Sequence, residues 1–165
     1  MKKQIVLPLV LLLLLAAAIV AAFAVLDEKS AIKVSDEPVD YAVNTEPGVT
    51  MTLVRANANS ATVVIVNETD KDIRSERDFF YSLQLRKGGG WYPLQYITEV
   101  NTTSEFQANP YPKGEPHEAA YVWTDYYGKL PKGEYRIVRA FWEADDRDEP
   151  WDGRDFRLAV EFTVE

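Results

Sequence analysis

The pattern of hydrophobic and polar positions divides the chain into three parts. Residues 5–26 are almost entirely Leu, Ala, Val, Ile and Phe, with one proline. Residues 27–48 are mixed, charged and interrupted by proline. From Val49 onward, short runs of alternating apolar and polar residues are separated by turn-forming residues. The pattern therefore predicts an apolar N-terminal helix over 1–26, a flexible linker over 27–48 and a β-rich domain over 49–165.

The apolar start is long enough to cross a membrane. A helix over residues 5–26 would be about 33 Å long, slightly more than the hydrocarbon core of a bilayer. Two lysines precede it and Asp27-Glu28 follow it, which predicts a cytoplasmic N-terminus. The alternative is a cleaved signal peptide, because Ala22-Phe23-Ala24 fits a small-x-small cleavage site. The first reading predicts a single-pass membrane protein with an extracytoplasmic C-terminal domain, and the second a secreted protein.

The alternation after Val49 predicts strands rather than helices. The last run is the clearest, since Phe156, Leu158, Val160, Phe162 and Val164 would share one face. About seven strands in about 115 residues have the size of an immunoglobulin-like sandwich, so the predicted fold class is an all-β antiparallel sandwich. Strands are predicted over residues 49–55, 61–67, 79–86, 91–97, 118–124, 135–142 and 156–164.

Leu130, Gly133 and Tyr135 have the spacing of a tyrosine corner. In such a corner a buried Tyr near the start of a strand donates its hydroxyl to the backbone a few residues upstream. Gly133 suits a bend with positive φ. We expect Tyr135 to be structural, and we expect it to form the core together with Trp91 and the alternating face of the last strand.

Composition excludes several kinds of function. With 26 acidic and 18 basic residues the formal charge is −8, which disfavours binding to nucleic acid. The chain has no Cys and a single His, so disulfides, thiol catalysis and histidine-rich metal sites are not expected. Gly88-Gly-Gly90 lacks the Lys-Ser/Thr that a phosphate-binding loop requires, and no nucleophile-elbow motif is present. We predict no cofactor and no catalytic residue.

An acidic stretch over residues 143–155 offers weak metal candidates in Asp146, Asp148 and Asp152. Calcium takes six to eight oxygen ligands, roughly, and such a loop could supply some. The spacing does not match an EF-hand, and two arginines interrupt the negative charge. A solvated hairpin loop is the preferred interpretation, with a calcium site as the alternative.

Aromatic residues in or beside loops suggest a contact surface. Tyr and Trp bring a large area and a polar tip to interfaces, so Tyr92, Trp123, Tyr126 and Tyr127 are candidates for a binding face. Core packing explains aromatic residues in a sandwich equally simply, and it is the interpretation that we favour.

Several segments together resemble a bacterial immunoglobulin-like domain family. They are Asn67-Glu-Thr-Asp-Lys, Gly90-Trp-Tyr92, the segment from Trp123 to Arg139, and the closing Val160-Glu-Phe-Thr-Val. The resemblance covers about residues 50–165, essentially everything after the linker. It implies a secreted or membrane-attached protein of Gram-positive bacteria, and it brings no catalytic residues with it.

The expected function is therefore that of a non-enzymatic, membrane-tethered module. Outside the cytoplasm it would contact an unidentified protein or cell-envelope component. The alternative is a protease inhibitor that presents a loop between residues 101 and 118, which is irregular and rich in proline.

Overall fold

The computed structural model describes residues 32–76, 80–98, 108–144 and 155–165. Residues 32–165 form one compact unit. The helix predicted over residues 1–26 lies outside the described residues, and no helix within them is long and apolar enough to span a membrane. The described elements are β1 (Lys33–Val34), β2 (Val49–Ala56), β3 (Ser60–Asn67), β4 (Ile73–Glu76), β5 (Ser82–Lys87), β6 (Gly90–Gln95), β7 (Ala108–Tyr111), β8 (His117–Val122), α1 (Thr124–Tyr127), β9 (Gly133–Glu143) and β10 (Asp155–Val164).

The strands form two antiparallel sheets, which confirms the predicted all-β class. The smaller sheet has the order β2-β3-β8. Strand β9 is central in the larger sheet. On one side it pairs with β10 along nearly its whole length. On its other side the first half of β9 pairs with β5 and the last part with β4. The larger sheet continues from β5 to β6 and β1, and from β4 to β7.

The described residues contain ten strands, where the sequence pattern predicted about seven. The strands that were not predicted are β1, β4 and β7, which have two to four residues each. A run of that length is too short to show alternation, and their pairing partners lie far away in the sequence. The prediction of strands rather than helices after Val49 largely agrees with the described residues, where α1 has only four residues.

The core lies between the inward faces of the two sheets. Phe156, Leu158, Phe162 and Val164 are buried as predicted, and Val160 is half-buried against them. Trp91 differs from its prediction: it is half-buried, and the Arg136 guanidinium lies 4.6 Å from its ring centroid. Because Arg136 alternates with the inward-facing residues of β9, Trp91 packs on the outer face of the larger sheet.

Tyr135 makes the contact that defines a tyrosine corner. Its hydroxyl donates to the Pro131 carbonyl oxygen over 2.9 Å, and its side chain is fully buried. Leu130, also buried, is held by its amide, which donates to the Ala58 carbonyl. Gly133 has no positive φ, contrary to expectation. A Cβ at this position would lie 3.2 Å from both Leu85 Cδ1 and Tyr135 Cε2, so close packing is the reason for the glycine.

Residues 35–44 form a strap across the outer face of the larger sheet. The Ser35 and Val39 amides donate to carbonyls of β6, and the Asn44 amide donates to the Arg157 carbonyl of β10. Five extended residues reach roughly 17 Å, enough to pass over the two strands between these edges. The described part of the predicted linker is therefore packed on the domain. Its composition concealed this, because backbone hydrogen bonds rather than apolar side chains fix it.

Asn44 holds the end of the strap against β10. Its side-chain amide donates to the Ala159 carbonyl over 3.1 Å, and its side-chain oxygen accepts from the Ala159 amide over 2.8 Å. Its φ of 58° is a conformation that glycine also adopts without strain. Asn44→Gly should therefore remove only these two hydrogen bonds and lower the free energy of unfolding by about 1–2 kcal/mol, measured by urea denaturation.

Asn59→Gly is the matched control for this variant. Asn59 is exposed, and its side chain makes no hydrogen bond to another described residue. Equal losses of stability in the two variants would show that glycine flexibility, rather than the contact with Ala159, is responsible.

Candidate functional site

The outer face of the larger sheet has a floor of small and apolar side chains. Ser82, Val138 and Ala140 point outward, because they alternate with the buried Leu83, Ile137 and Phe141. The strand register places Ser82 opposite Val138 on the neighbouring strand. Arg157 of β10 lies opposite Ala140 on the other side of β9. Three adjacent strands therefore present a shallow surface beside the strap.

Above this floor lies a pocket of about 230 Å³, named here the aromatic pocket. Aromatic side chains supply most of its walls. The strap, the end of β4, the residues before β5 and those after β6 all contribute to it. Its lining residues are Tyr41, Glu76, Phe80, Tyr81, Ser82, Tyr96, Val138, Ala140 and Arg157.

Hydrogen bonds and ring contacts fix the tyrosines on one side of the pocket. The Tyr81 hydroxyl donates to the Val122 carbonyl over 3.2 Å, and the Tyr127 hydroxyl donates to the Tyr81 carbonyl over 3.1 Å. Burial raises the pKa of both hydroxyls, so both remain protonated donors at neutral pH. The Tyr96 ring, 42% exposed, lies 4.8 Å from the Tyr127 ring centroid. This wall is therefore built on the core, with Tyr96 at its exposed rim.

The opposite side of the pocket is formed by the strap. Tyr41 accepts a hydrogen bond at its hydroxyl from Gln84 Nε2. The Arg157 guanidinium lies 4.7 Å from the Tyr41 ring centroid and 3.3 Å from an Asp155 carboxylate oxygen. The positive charge of Arg157 is thus already opposed by a carboxylate and covered by an aromatic ring.

Glu76 brings a carboxylate to the pocket. It makes no side-chain hydrogen bond or ion pair with another described residue. Burial raises the pKa of this carboxyl, and the Arg139 charge opposes the effect more weakly. Arg139 lies on the inward side of the sheet, where it donates to Tyr121 Oη over 3.1 Å and also to Ser75 Oγ. Glu76 therefore presents a partly desolvated carboxyl group to an aromatic space.

The structure separates the four aromatic residues predicted as a binding face. Trp123 and Tyr127 are 0% and 3% exposed, so they belong to the core and offer no surface to a partner. Tyr126 and Tyr92 are half-buried; Tyr126 lies 6.3 Å from the Tyr96 ring centroid, and Tyr92 lies 5.8 Å from the Lys87 ammonium. Neither lines the aromatic pocket. Packing places Trp123 and Tyr127 in the core, and the spacing of the aromatic residues along the chain does not reveal this.

The pocket contains residues that sequence reasoning did not select. Tyr41 lies in the supposed linker, and Glu76 ends a strand too short to be predicted. The sequence does indicate that Arg157 faces away from the core, since it occupies one of the polar positions of the clearly alternating last strand. Only the topology brings these residues together.

The weak calcium candidates Asp146, Asp148 and Asp152 lie outside the described residues. Within the described ranges, no group of three or more His, Asp or Glu residues could hold a metal ion. The chemistry that the described site offers is therefore that of aromatic rings, one carboxylate and one paired guanidinium.

A family model described as a bacterial Ig-like domain matches residues 45–163, which is most of the chain. No curated protein matches the chain.

Proposed function

The chain belongs to the bacterial Ig-like domain family, and from this premise we propose that it is a non-enzymatic binding module that acts outside the cytoplasm. Domains of this family are typically non-catalytic. The apolar residues 5–26 would tether the module to the cell membrane, with the sandwich on the extracytoplasmic side. A secreted form follows if the leader is cleaved after residue 24.

The aromatic pocket is the observation that supports a binding function. Concave sites lined by aromatic side chains with a few polar groups are the usual form of a ligand site. Here the floor is a hydrogen-bonded sheet, and one wall is fixed to the core through Tyr81 and Tyr127. The module would therefore receive one projecting group of a protein or envelope component without rearranging its backbone.

The net charge of the chain limits the kinds of partner that it can bind. A net charge of −8 repels phosphate backbones, so nucleic acid is not proposed as a partner. A neutral or cationic group on the partner is electrostatically compatible with this surface.

Co-sedimentation of the purified full-length chain, kept in detergent, with cell envelopes whose membranes have been extracted by the same detergent tests this proposal. Residues 5–26 then cannot cause sedimentation by inserting into lipid. We expect binding that falls at least about fivefold in Tyr96→Ala, because Tyr96 is the exposed aromatic residue of the pocket rim and stacking contacts of this kind contribute about 1 kcal/mol. Tyr92→Ala is the matched control, since Tyr92 is an aromatic residue outside the pocket. Equal binding by wild type and Tyr96→Ala, or no binding to any envelope fraction, would contradict the proposal.

The protease-inhibitor alternative gains no support from the described residues. Between residues 108 and 118, the chain is paired to the sandwich: Ala108–Tyr111 forms a ladder with β4, and the Gly114 amide donates to the Asn67 carbonyl. Residues 101–107 lie outside the described residues. We therefore do not propose inhibition as a second function.

A further inference from the structure

The described lining of the aromatic pocket combines four aromatic rings with one carboxylate, and this combination is selective for charge. Tyr41, Phe80, Tyr81 and Tyr96 line it together with Glu76. The faces of aromatic rings carry partial negative charge and attract cations, most strongly where water is displaced. A carboxylate in the same space adds a full negative charge. Both features favour a positively charged ligand.

Arg157, the other charged residue of the described lining, does not reverse this preference. Arg157 is opposed by Asp155, whose carboxylate oxygen lies 3.3 Å from its guanidinium. Its guanidinium also covers the Tyr41 ring on one side. Glu76 makes no comparable contact among the described residues, and burial raises the pKa of its carboxyl. A cation that binds beside Glu76 would replace the solvation that this carboxylate has lost.

The hydrogen-bonding groups of the pocket indicate which kind of cation fits. A primary ammonium has three donors and needs three acceptors. The Tyr81 hydroxyl donates to the Val122 carbonyl and the Tyr41 hydroxyl accepts from Gln84, and these bonds hold both hydroxyls at the walls of the pocket. Among the described lining residues, aromatic rings and aliphatic side chains outnumber the acceptor groups of Glu76 and Ser82. An ammonium whose hydrogens are replaced by methyl groups needs few acceptors and gains contact with the rings.

The volume of the pocket agrees with a compact ligand. About 230 Å³ is far more than one water molecule needs, which is roughly 10–15 Å³ in this measure. We propose that the aromatic pocket binds a methylated or quaternary ammonium group, an inference that rests on the proposed binding function. The group could be part of a small soluble molecule or be carried on a lysine side chain of a partner protein.

Chemical-shift titration of the full-length chain in maltoside micelles tests the inference. The detergent must lack a choline headgroup, which would compete. The probes are choline, its neutral carbon isostere dimethylbutanol, acetyl-trimethyllysine amide and acetate. We expect choline to bind at least about tenfold more tightly than its neutral isostere, and we expect acetate not to bind. Comparison of choline with the trimethyllysine probe distinguishes a soluble ligand from a lysine-borne group.

Two variants locate the binding. Glu76→Gln should weaken choline binding about tenfold, because it removes the charge and keeps the shape. Glu134→Gln, which removes an exposed carboxylate outside the pocket, should leave choline binding unchanged. Equal affinity for choline and its isostere, or an unchanged affinity in Glu76→Gln, would overturn the ammonium assignment. If no probe binds while envelope binding still depends on Tyr96, the inference fails and the binding function stands.

Discussion

Replacing Trp123 by alanine should lower the free energy of unfolding by about 3–5 kcal/mol, the range typical of removing a buried aromatic side chain. Trp123 is fully buried, and its ring stacks on Phe162 with the centroids 5.5 Å apart. Its indole Nε1 donates to the Ala58 carbonyl over 2.9 Å. The substitution therefore creates a cavity beside Phe162 and also removes one of the two hydrogen bonds that the Ala58 carbonyl accepts, leaving the one from the Leu130 amide.

Urea denaturation of Trp123→Ala measures this loss, and Val122→Ala is the control. Val122 adjoins Trp123 in the chain but is 60% exposed, so its truncation should change stability by less than about 0.5 kcal/mol. A Trp123→Ala variant that unfolds like the wild type but loses binding to cell envelopes would instead support the binding-face role that the sequence first suggested for this residue.

The segment that carried the family resemblance packs as a unit. The Tyr135 ring stacks on Phe162 with the centroids 5.7 Å apart, so Phe162 lies between Trp123 and Tyr135. Leu130 and Gly133 complete the same region through the Ala58 carbonyl and the Leu85 side chain. The spacing of these residues is therefore set by one structural corner, which is why it could be recognised in the sequence.

Asn67, in another segment of the resemblance, is explained in the same way. Its side-chain amide donates to the Lys71 and Tyr111 carbonyls, each over 2.9 Å, and its side-chain oxygen accepts from the Thr69 amide and hydroxyl. This buried asparagine joins the loop after β3 to β7. The sequence alone does not reveal this role, because the Tyr111 carbonyl is distant in the chain.

Regular alternation allowed the long strands to be predicted, whereas contacts between distant segments could not be. The face of β10 and the corner at Tyr135 follow from local spacing. The position of the strap does not follow from local spacing, because hydrogen bonds from residues 35, 39 and 44 to distant strands fix it. The aromatic pocket depends on the strap and on the meeting of Tyr41 with Glu76 and Arg157. Its existence could therefore be seen only once the topology was known.

Strong alkali should unfold the domain, because the folded state keeps protons on three buried tyrosines that the unfolded state releases. Burial raises the pKa of Tyr135 to about 12, and it raises the pKa of Tyr81 and Tyr127 further. In the unfolded chain these hydroxyls titrate near pH 10. Their contribution to stability is therefore complete below about pH 10 and is lost as the pH rises above it, by up to roughly 4 kcal/mol per pH unit for three protons.

Circular dichroism and tyrosinate absorbance, followed together between about pH 9 and 12, measure this effect. Unfolding should coincide with the ionisation of Tyr81, Tyr127 and Tyr135. In Tyr135→Phe the pH dependence should become shallower by about one proton, or roughly 1.4 kcal/mol per pH unit. The same variant should lose about 1 kcal/mol at neutral pH, through the missing hydrogen bond to Pro131. If Tyr81, Tyr127 and Tyr135 ionised near pH 10 while the dichroism stayed native, their hydroxyls would have to be accessible to water. Both the corner and the rigid wall of the pocket would then be wrong.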